Sequence, residues 1–223
     1  MRKIRIAPGE YYHIFNRGMS KQIIFHEIKD YLRFVFLIIY FQSPITFINL
    51  GRYVEHYVKH RVFNIGSDVK EKILKKRFVE LVSFCLMPNH FHLIVKEIDD
   101  SGIATYMQRA LNSYTKYYNT KYKKSGHLFQ GPYKAVHIED DRQLLYLSTY
   151  IHRNPRELPN WKGREVEYVW SSYQDFVSKN RWGEFIQLDI IIGQFKGGSD
   201  YKKFVETSTA KLFEEEIGEI LFN

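Results

Sequence analysis

Two histidines separated by a single residue are the first feature of the sequence that could do chemistry. His90 and His92 lie in the segment MPNHFHLIV at 87–95, directly after a Pro-Asn pair that is typical of a turn. On a β-strand both imidazoles would point to the same face, because side chains alternate between faces. Two nitrogen donors placed in this way can hold one divalent cation. The other interpretation, two surface histidines without a ligand, stays open for this pattern alone.

A second pattern lies in the segment LLYLSTYIHRNP at 144–155. Tyr146, Tyr150 and Asn154 recur every four residues, so they would share one face of a helix. A tyrosine hydroxyl beside a cation can act as a nucleophile because the cation stabilises the phenolate, and the amide oxygen of asparagine could be a further ligand. Alone, this spacing is more typical of a core-facing helix. Together with the histidines it supplies what metal-assisted phosphoryl transfer requires, a Lewis acid and an oxygen nucleophile.

The elements that must position these residues follow from the periodicity of apolar residues. Turn and breaker residues add the boundaries, and residues 45–50 could form a strand while 53–62 and 68–76 favour helix or loop. The main predicted elements are a strand at 11–16, a helix at 26–41, a hairpin of 78–85 and 91–96, a helix at 103–122, a strand at 128–138 that is interrupted by Gly131-Pro132, and a helix at 140–153. This order predicts an α+β domain of ferredoxin-like (RRM-like) type, with an antiparallel sheet, helices mainly on one face and a small, mostly helical C-terminal extension.

The composition favours a folded, basic protein that binds nucleic acid. The 223 residues include 33 Lys and Arg against 25 Asp and Glu, a formal net charge of +8, and 17% are aromatic. Basic side chains neutralise phosphates and aromatic rings stack on unpaired bases. Cys85 is the only cysteine, which excludes an intramolecular disulfide and a cysteine-rich zinc site. The longest apolar run, at 34–41, is far shorter than the roughly 20 residues of a membrane span, and no secretory signal is evident, so we expect a cytoplasmic, nucleoid-associated protein without membrane contact.

Five motifs in order resemble the single-tyrosine HUH transposases, and most closely the REP-associated tyrosine transposases of bacteria. They are YHIFNRG at 12–18, MPNHFHLIV at 87–95, GHLFQGPYKA at 126–135, YIHRNP at 150–155 and WSSY at 170–173. The resemblance implies a nuclease domain at 1–158, with an insertion at about 51–76, and a C-terminal extension at 159–223 that packs on the core or aids DNA recognition. It also implies a metal-dependent endonuclease and strand transferase that cuts single-stranded, palindromic hairpin DNA and holds the new 5′ end as a phosphotyrosine.

Carried onto this sequence, the resemblance makes Tyr150 the nucleophile, His90 and His92 the paired metal ligands, and Asn154 the third ligand. The ion would be Mg²⁺ or Mn²⁺, of which Mn²⁺ suits imidazoles better. The rival nucleophiles Tyr146, Tyr114, Tyr117 and Tyr118 are less favoured, because Tyr150 alone has both the asparagine one turn later and the motif match. The polar and basic residues predicted to contact DNA are Asn16, Arg17, Lys116, Lys121, Lys123, Lys124, His127, Gln130, Lys134 and Arg153.

Some features depart from the family pattern or leave alternatives open. Pro132 stands where relatives commonly have arginine, which removes one cation and, on an edge strand, one N–H donor. The basic residues of the insertion could line a DNA path or form a solvated helix face. The partner is expected to be single-stranded or hairpin DNA, bound by a monomer or a homodimer. The alternative function is a non-catalytic, hairpin DNA- or RNA-binding regulator on the same fold. A small-molecule metallohydrolase ranks last, because no further ligand motif is present.

Overall fold

A four-stranded antiparallel sheet forms the centre of the structure, a computed structural model that describes residues 5–46 and 48–208. The strands occur in the order β2-β3-β1-β4, so β3 and β1 are inner strands and the short β4 is an edge. Their bounds are Tyr11–Arg17 for β1, Val79–Met87 for β2, His90–Glu97 for β3 and Lys134–Ile138 for β4. The predicted α+β fold with an antiparallel sheet is confirmed.

The hairpin that carries the two histidines forms as predicted. Strands β2 and β3 are joined by Pro88 and Asn89 alone, and Met87 pairs with His90 across the turn. On the other side of β3, His92 pairs with Phe15 of β1. The histidines therefore lie on an inner strand, where neighbours on both sides fix the register of their side chains.

One face of the sheet is covered by two helices, and a third helix packs on one of them. Helices α1, Ile28–Tyr40, and α4, Gly102–Tyr122, pack on the sheet with the side chains of Phe91 and Leu93 between the layers. Helix α2, Leu50–His60, packs against α1, and α3, Ser67–Lys75, follows it. The segments at 53–62 and 68–76, predicted as helix or loop, are therefore largely helical.

Helix α5 and the helices of the C-terminal extension cover the opposite face, whereas Trp182 and Phe185 of the extension pack on the α1 side. Helix α5, Asp141–Arg153, begins where the Asp140 carboxylate accepts the Gln143 amide at 2.7 Å, and it ends before Pro155. It packs on Ile94 of β3 together with Tyr201 of the extension. The extension contains the short helices α6, Tyr173–Val177, α7, Asp189–Ile192, and α8, Gly198–Thr207. Short 3₁₀ turns complete the chain at Met19–Lys21, Asn154–Glu157, Pro159–Trp161, Glu165–Glu167 and Gly183–Phe185.

Two predicted strands were wrong in extent. No strand forms in the described part of 45–50; there the guanidinium of Arg109 donates to the Ser43 carbonyl and, at 2.8 Å, to that of Ile45, and Leu50 starts α2. Of the strand predicted at 128–138, only the part after the predicted interruption forms, as β4, and Gly131 at the interruption has a φ of +146° that is incompatible with a regular strand. Pro132 therefore lies outside β4 and does not remove a donor from the sheet. Among the described residues, none of the helices is long and apolar enough to cross a membrane.

Candidate active site

The four residues singled out as nucleophile and metal ligands come together between β3 and α5. The rings of His90 and His92 lie 5.1 Å apart, centroid to centroid, on the face of β3 that α5 covers. The Tyr150 ring stands edge-on to His92 at 5.4 Å, and Asn154 Oδ1 lies 3.2 Å from His90 Nε2. Tertiary structure thus joins two patterns that are about 60 residues apart in the sequence. The roles assigned to these residues stay predictions.

The hydrogen bonds around His90 assign its tautomer. His90 Nδ1 lies 2.6 Å from Asn89 Oδ1, and Asn89 Nδ2 donates to the Lys21 carbonyl at 3.3 Å, so Nδ1–H is the donor and Nε2 keeps a lone pair. Asn154 Nδ2 donates to the Tyr150 carbonyl at 3.3 Å, which turns Asn154 Oδ1 towards that lone pair. Burial lowers the pKa of His90 to about 4, so the ring is neutral at pH 7. Two acceptors thus face each other, an arrangement that a cation between them would stabilise.

A third histidine, His13, supports His92 from β1. His13 Nε2 lies 2.9 Å from His92 Nδ1, and the two rings stack at 5.1 Å with 19° between their planes. His92 Nε2 is buried and has no hydrogen-bond partner among the described residues. Burial lowers the pKa of His92 well below its usual range and that of His13 to about 3, so both rings are neutral. A proton on His92 Nδ1, donated to His13, leaves the lone pair of His92 Nε2 for a ligand.

His13 was not among the residues predicted from the sequence, although a signal was present. In YHIFNRG the alternation of a strand places His13 on the same face as Phe15, and the observed register pairs Phe15 with His92. The missing information was which strand lies next to β3. A histidine such as His13 becomes a candidate for the site only when the pairing of its strand with β3 is known.

The position of α5 is fixed by a second buried histidine that was also not predicted from the sequence. His152 Nδ1 lies 2.7 Å from the Tyr201 hydroxyl and Nε2 lies 2.9 Å from Ser172 Oγ. Ser172 Oγ in turn accepts the backbone amide of Phe84 in β2 at 2.9 Å. The ring of Tyr173 stacks on His152 at 5.1 Å. The YIHRNP and WSSY segments therefore meet, and they hold the helix that carries Tyr150 and Asn154 against the sheet.

A cavity of about 510 Å³ adjoins the histidine cluster. Phe15, which stacks on His13 at 4.8 Å, forms one wall, and its ring lies 5.9 Å from that of His92. Lys21 and Pro132 contribute to the lining. The remaining lining residues are four of those predicted to contact DNA, namely Asn16, Arg17, Gln130 and Lys134. Three of the seven side chains are cationic, so the cavity is suited to an anionic group beside the candidate site.

The other residues predicted to contact DNA do not line this cavity. Lys116, Lys123 and Lys124 are exposed on α4 and just after it, and His127 lines a separate cavity of about 580 Å³ between α4 and the segment 127–133. The guanidinium of Arg153 donates to the carbonyl of Ser208. Lys121, unlike the three exposed lysines, is engaged within the protein. Its ammonium pairs with Glu27 at 2.6 Å and with the buried Asp30. Lys121 thus links α4 to α1, and this engagement differs from the phosphate contact expected of it.

The rival tyrosines occupy other places. Tyr114 donates to the Ile24 carbonyl at 2.6 Å and Tyr117 donates to Asp30 at 2.8 Å, both in the layer of α1 and α4 on the far side of the sheet from His92. Tyr118 lies in the same layer, 3.0 Å from His26 Nε2. Tyr146 contacts the ring of Phe204 at 6.0 Å. Within the described chain, no cluster of three or more His, Cys, Asp or Glu side chains could hold a metal ion, so the candidate donor set is two imidazoles and one amide oxygen.

Comparison with known proteins adds two findings. A family model described as IS200-like transposase matches residues 39–154, just over half of the chain. The fold is similar to that of a solved structure described as a REP-associated tyrosine transposase bound to a REP hairpin, with a TM-score of 0.50 over 85% of this chain and 92% of that one. The two chains are 15% identical, so this similarity shows a shared fold. A search of curated proteins gave no significant match.

Proposed function

We propose, because the chain belongs to the family of IS200-like transposases, that it cuts and rejoins hairpin DNA through a covalent 5′-phosphotyrosine on Tyr150. The observation that carries the proposal is the contact of the Tyr150 ring with His92, whose buried Nε2 has no hydrogen-bond partner in the part of the chain that the structure describes. The class of substrate is supported by the resemblance of the motifs and by the REP hairpin to which the similar transposase is bound. The proposed substrate is therefore single-stranded DNA that folds into a hairpin.

The residues present fit a divalent metal ion. His92 Nε2, His90 Nε2 and Asn154 Oδ1 each offer a lone pair in one buried region, and the tautomers assigned above leave all three without a proton. When bound, the ion would draw negative charge from the scissile phosphate. Two imidazoles and one neutral oxygen favour Mn²⁺ over Mg²⁺, which prefers oxygen ligands. We propose Mn²⁺ or Mg²⁺ as the cofactor, with DNA phosphate and water as the remaining ligands.

The proposed reaction is an in-line displacement at phosphorus. The Tyr150 oxygen bonds to the phosphorus atom and gives its proton to solvent, while the bond between phosphorus and the 3′ oxygen breaks and the 3′ oxygen takes a proton from solvent to leave as a hydroxyl. Attack by a 3′ hydroxyl on the phosphotyrosine reverses these bonds and transfers the strand. The phosphotyrosine keeps the number of phosphodiester-type bonds constant, so rejoining needs no external energy source. His152, through Ser172 and Tyr201, would hold α5 so that Tyr150 keeps its position relative to β3.

The cavity beside the histidines is proposed to hold the DNA that flanks the cut. Arg17, Lys21 and Lys134 bring three positive charges to one side of the cluster, and these would neutralise the adjoining phosphates. Lys116, Lys123 and Lys124 would add contacts further along the strand. Pro132 lines this cavity where relatives commonly have arginine, so one cation is missing there. Lys21, which was not among the residues predicted to contact DNA, supplies another cation.

The organisation of the chain supports a monomer. Tyr150, both histidines and Asn154 come from one chain, so no partner subunit is needed to complete the candidate site. We propose a nuclease unit at 1–158 with the segment after it as a support, because Ser172 and Tyr201 hold His152 of α5. The final part of that extension, 209–223, lies outside the described residues. An enzyme of this kind would act on DNA in the cytoplasm, at the nucleoid.

The test is an assay for a covalent adduct that survives SDS. The protein is incubated with labelled hairpin oligonucleotides from the DNA that flanks its own gene, in Mn²⁺, Mg²⁺ or EDTA, and mass spectrometry maps the modified residue. We expect a metal-dependent adduct on Tyr150 that is absent in Tyr150→Phe and retained in the matched control Tyr146→Phe. An adduct formed by Tyr150→Phe would refute the nucleophile. Hairpin binding without any adduct would favour the non-catalytic DNA- or RNA-binding regulator.

A further inference from the structure

The net charge of the chain is concentrated in a short segment that the candidate active site does not use. Residues 49–77 contain eight lysines and arginines against three carboxylates, a net charge of +5 out of the +8 of the whole chain. This segment includes α2 and α3. A positive charge of this density on one surface attracts polyanions and raises their rate of association.

Helix α2 presents the basic residues of this segment in a row. Arg52, His56, Lys59 and His60 recur at steps of four, three and one, so they share the outer face of the helix, and all four are exposed. The rings of His56 and His60 lie 4.6 Å apart, which shows that the row is continuous. The opposite side of α2 is buried through Val54. At about 1.5 Å of rise per residue the row is about 12 Å long.

Within residues 5–46 and 48–208, the lysine and the arginine of α2 form no ion pair. Glu55, its one carboxylate, is bound by Lys29 of α1 at 2.6 Å. In the described part of the chain, Arg52, Lys59 and Arg61 have no carboxylate within ion-pair distance. Helix α3 differs, because Lys75 pairs with Glu71 at 2.6 Å and Lys70 pairs with Glu184 at 2.8 Å. The cations that remain available to a ligand are therefore concentrated on α2 and the residue that follows it.

This row lies on the side of the molecule away from the candidate active site. Phe36 of α1 contacts Tyr57 of α2 at 5.9 Å, and Phe34 of α1 contacts Phe91 of β3 at 4.9 Å. Phe91 points to the opposite face of β3 from His90 and His92, because it lies between them on a strand. The order of layers is therefore α2, α1, sheet and α5. A molecule on α2 and a hairpin at Tyr150 would occupy different faces.

We propose that the exposed face of α2, with Arg52, His56 and Lys59, together with Arg61 directly after the helix, binds the phosphate backbone of duplex DNA, so that the protein holds a second DNA segment while the candidate site holds a hairpin. A duplex carries one charge per about 1.7 Å of its axis with both strands counted, or one per about 3.4 Å along each strand, so a row of about 12 Å can follow three or four phosphates of one strand. Single strands are bound through exposed aromatic rings on which bases stack. The tyrosines of α2 instead pack inward, Tyr53 on Tyr40 and Tyr57 on Trp182, which favours a duplex.

The test uses full-length protein and a blunt DNA duplex of arbitrary sequence, about two helical turns long. Binding is followed by fluorescence anisotropy at several salt concentrations for the wild type and for R52E/K59E/R61E. The matched control is K162E/K179E/K196E, which makes the same change of net charge at three exposed lysines of the C-terminal extension. Loss of three phosphate contacts should reduce the slope of log K against log salt by about 2.7 and raise the dissociation constant on the order of 100-fold at about 0.1 M salt.

The outcomes separate this inference from the proposed function. We expect the α2 variant to lose duplex binding yet to form the covalent adduct with a short hairpin at the wild-type rate, whereas the control variant keeps both. Equal loss in both variants would show that only total charge matters and would overturn the inference. Loss of the hairpin adduct in the α2 variant would refute a separate surface. Equally tight, α2-dependent binding to vesicles of anionic lipid would assign the face to membranes instead.

Discussion

His13 Nε2 lies 2.9 Å from His92 Nδ1, and this contact sets the chemical state of the buried imidazole next to Tyr150. One proton is shared between these two nitrogens, because burial lowers the pKa of both rings and holds them in the neutral form. When that proton is on His92 Nδ1, the opposite nitrogen of His92 carries the lone pair that a metal requires. His13 is thus a positioning residue for the candidate metal site.

Replacement of His13 should weaken metal binding. We expect His13→Ala to raise the dissociation constant for Mn²⁺ by about 10-fold or more, in line with the effect of other residues that orient a metal ligand. Isothermal titration calorimetry, or electron paramagnetic resonance of free Mn²⁺, measures this without turnover. The matched control is His137→Ala, because the imidazole of His137 lies on the edge strand β4 and pairs with Glu10. Unchanged affinity for Mn²⁺ in His13→Ala would contradict the role of His13.

If the amide oxygen of Asn154 is a metal ligand, two substitutions at this position should change the affinity for Mn²⁺ differently. Asn154→Ala removes the oxygen that faces His90 Nε2, so the affinity for Mn²⁺ should fall about 10-fold. Asn154→Asp keeps an oxygen at this position and adds a negative charge, which should retain or increase affinity because carboxylates bind hard divalent cations well. Titration of both variants with Mn²⁺ checks this. The same affinity in the alanine and aspartate variants would show that position 154 contributes no ligand.

His152 should be important for the stability of the fold. In His152→Leu the Tyr201 hydroxyl and Ser172 Oγ lose a buried partner, and we expect the free energy of unfolding to fall by about 2–4 kcal/mol. Urea denaturation followed by circular dichroism measures the change. The matched control His127→Leu alters an exposed imidazole and should stay within about 0.5 kcal/mol of the wild type. A loss as small as that of the control would mean that the buried network does not hold α5.

Stability should fall as the solution becomes mildly acidic. Burial lowers the pKa of His13 and of His152 to about 3 and that of His90 to about 4, whereas an unfolded histidine titrates near 6.5. Below about pH 6.5 the unfolded chain therefore binds more protons than the native one, and acidification favours unfolding by up to about 1.4 kcal/mol per pH unit for each histidine. Glu97, whose pKa is raised by burial, acts in the opposite direction, but it is one group against several.

Urea denaturation in EDTA at about pH 7.5, 6.5, 5.5 and 5.0 checks this dependence. Most carboxylates titrate below this range, so the histidines should dominate it. The slope should be shallower for His13→Ala, which removes one of the contributing groups. A free energy of unfolding that stays constant over the range would show that these histidines are charged in the native state.

The sequence by itself determined the local parts of the candidate site. Side chains alternate along a strand, so His90 and His92 share a face wherever β3 lies, and the turn at Pro88-Asn89 fixes where that strand begins. In the same way, 3.6 residues per turn place Tyr150 and Asn154 on one side of α5. These relations depend on backbone periods of a few residues, and the sequence is sufficient to specify them. The motif resemblance then brought the two patterns together in one site.

Tertiary structure alone decided which distant residues meet. His13 contacts His92 across 79 positions because β1 pairs with β3, and no local pattern contains that pairing or its register. The engagement of Lys121 with Asp30 is likewise a property of how α4 packs on α1. Arg52 and Lys59 of α2 lie away from Tyr150 because α1 and the sheet separate them. Such contacts follow from long-range pairing and burial. Only in the folded chain is it decided whether a charged or titratable side chain has a partner, faces solvent or lies in a site.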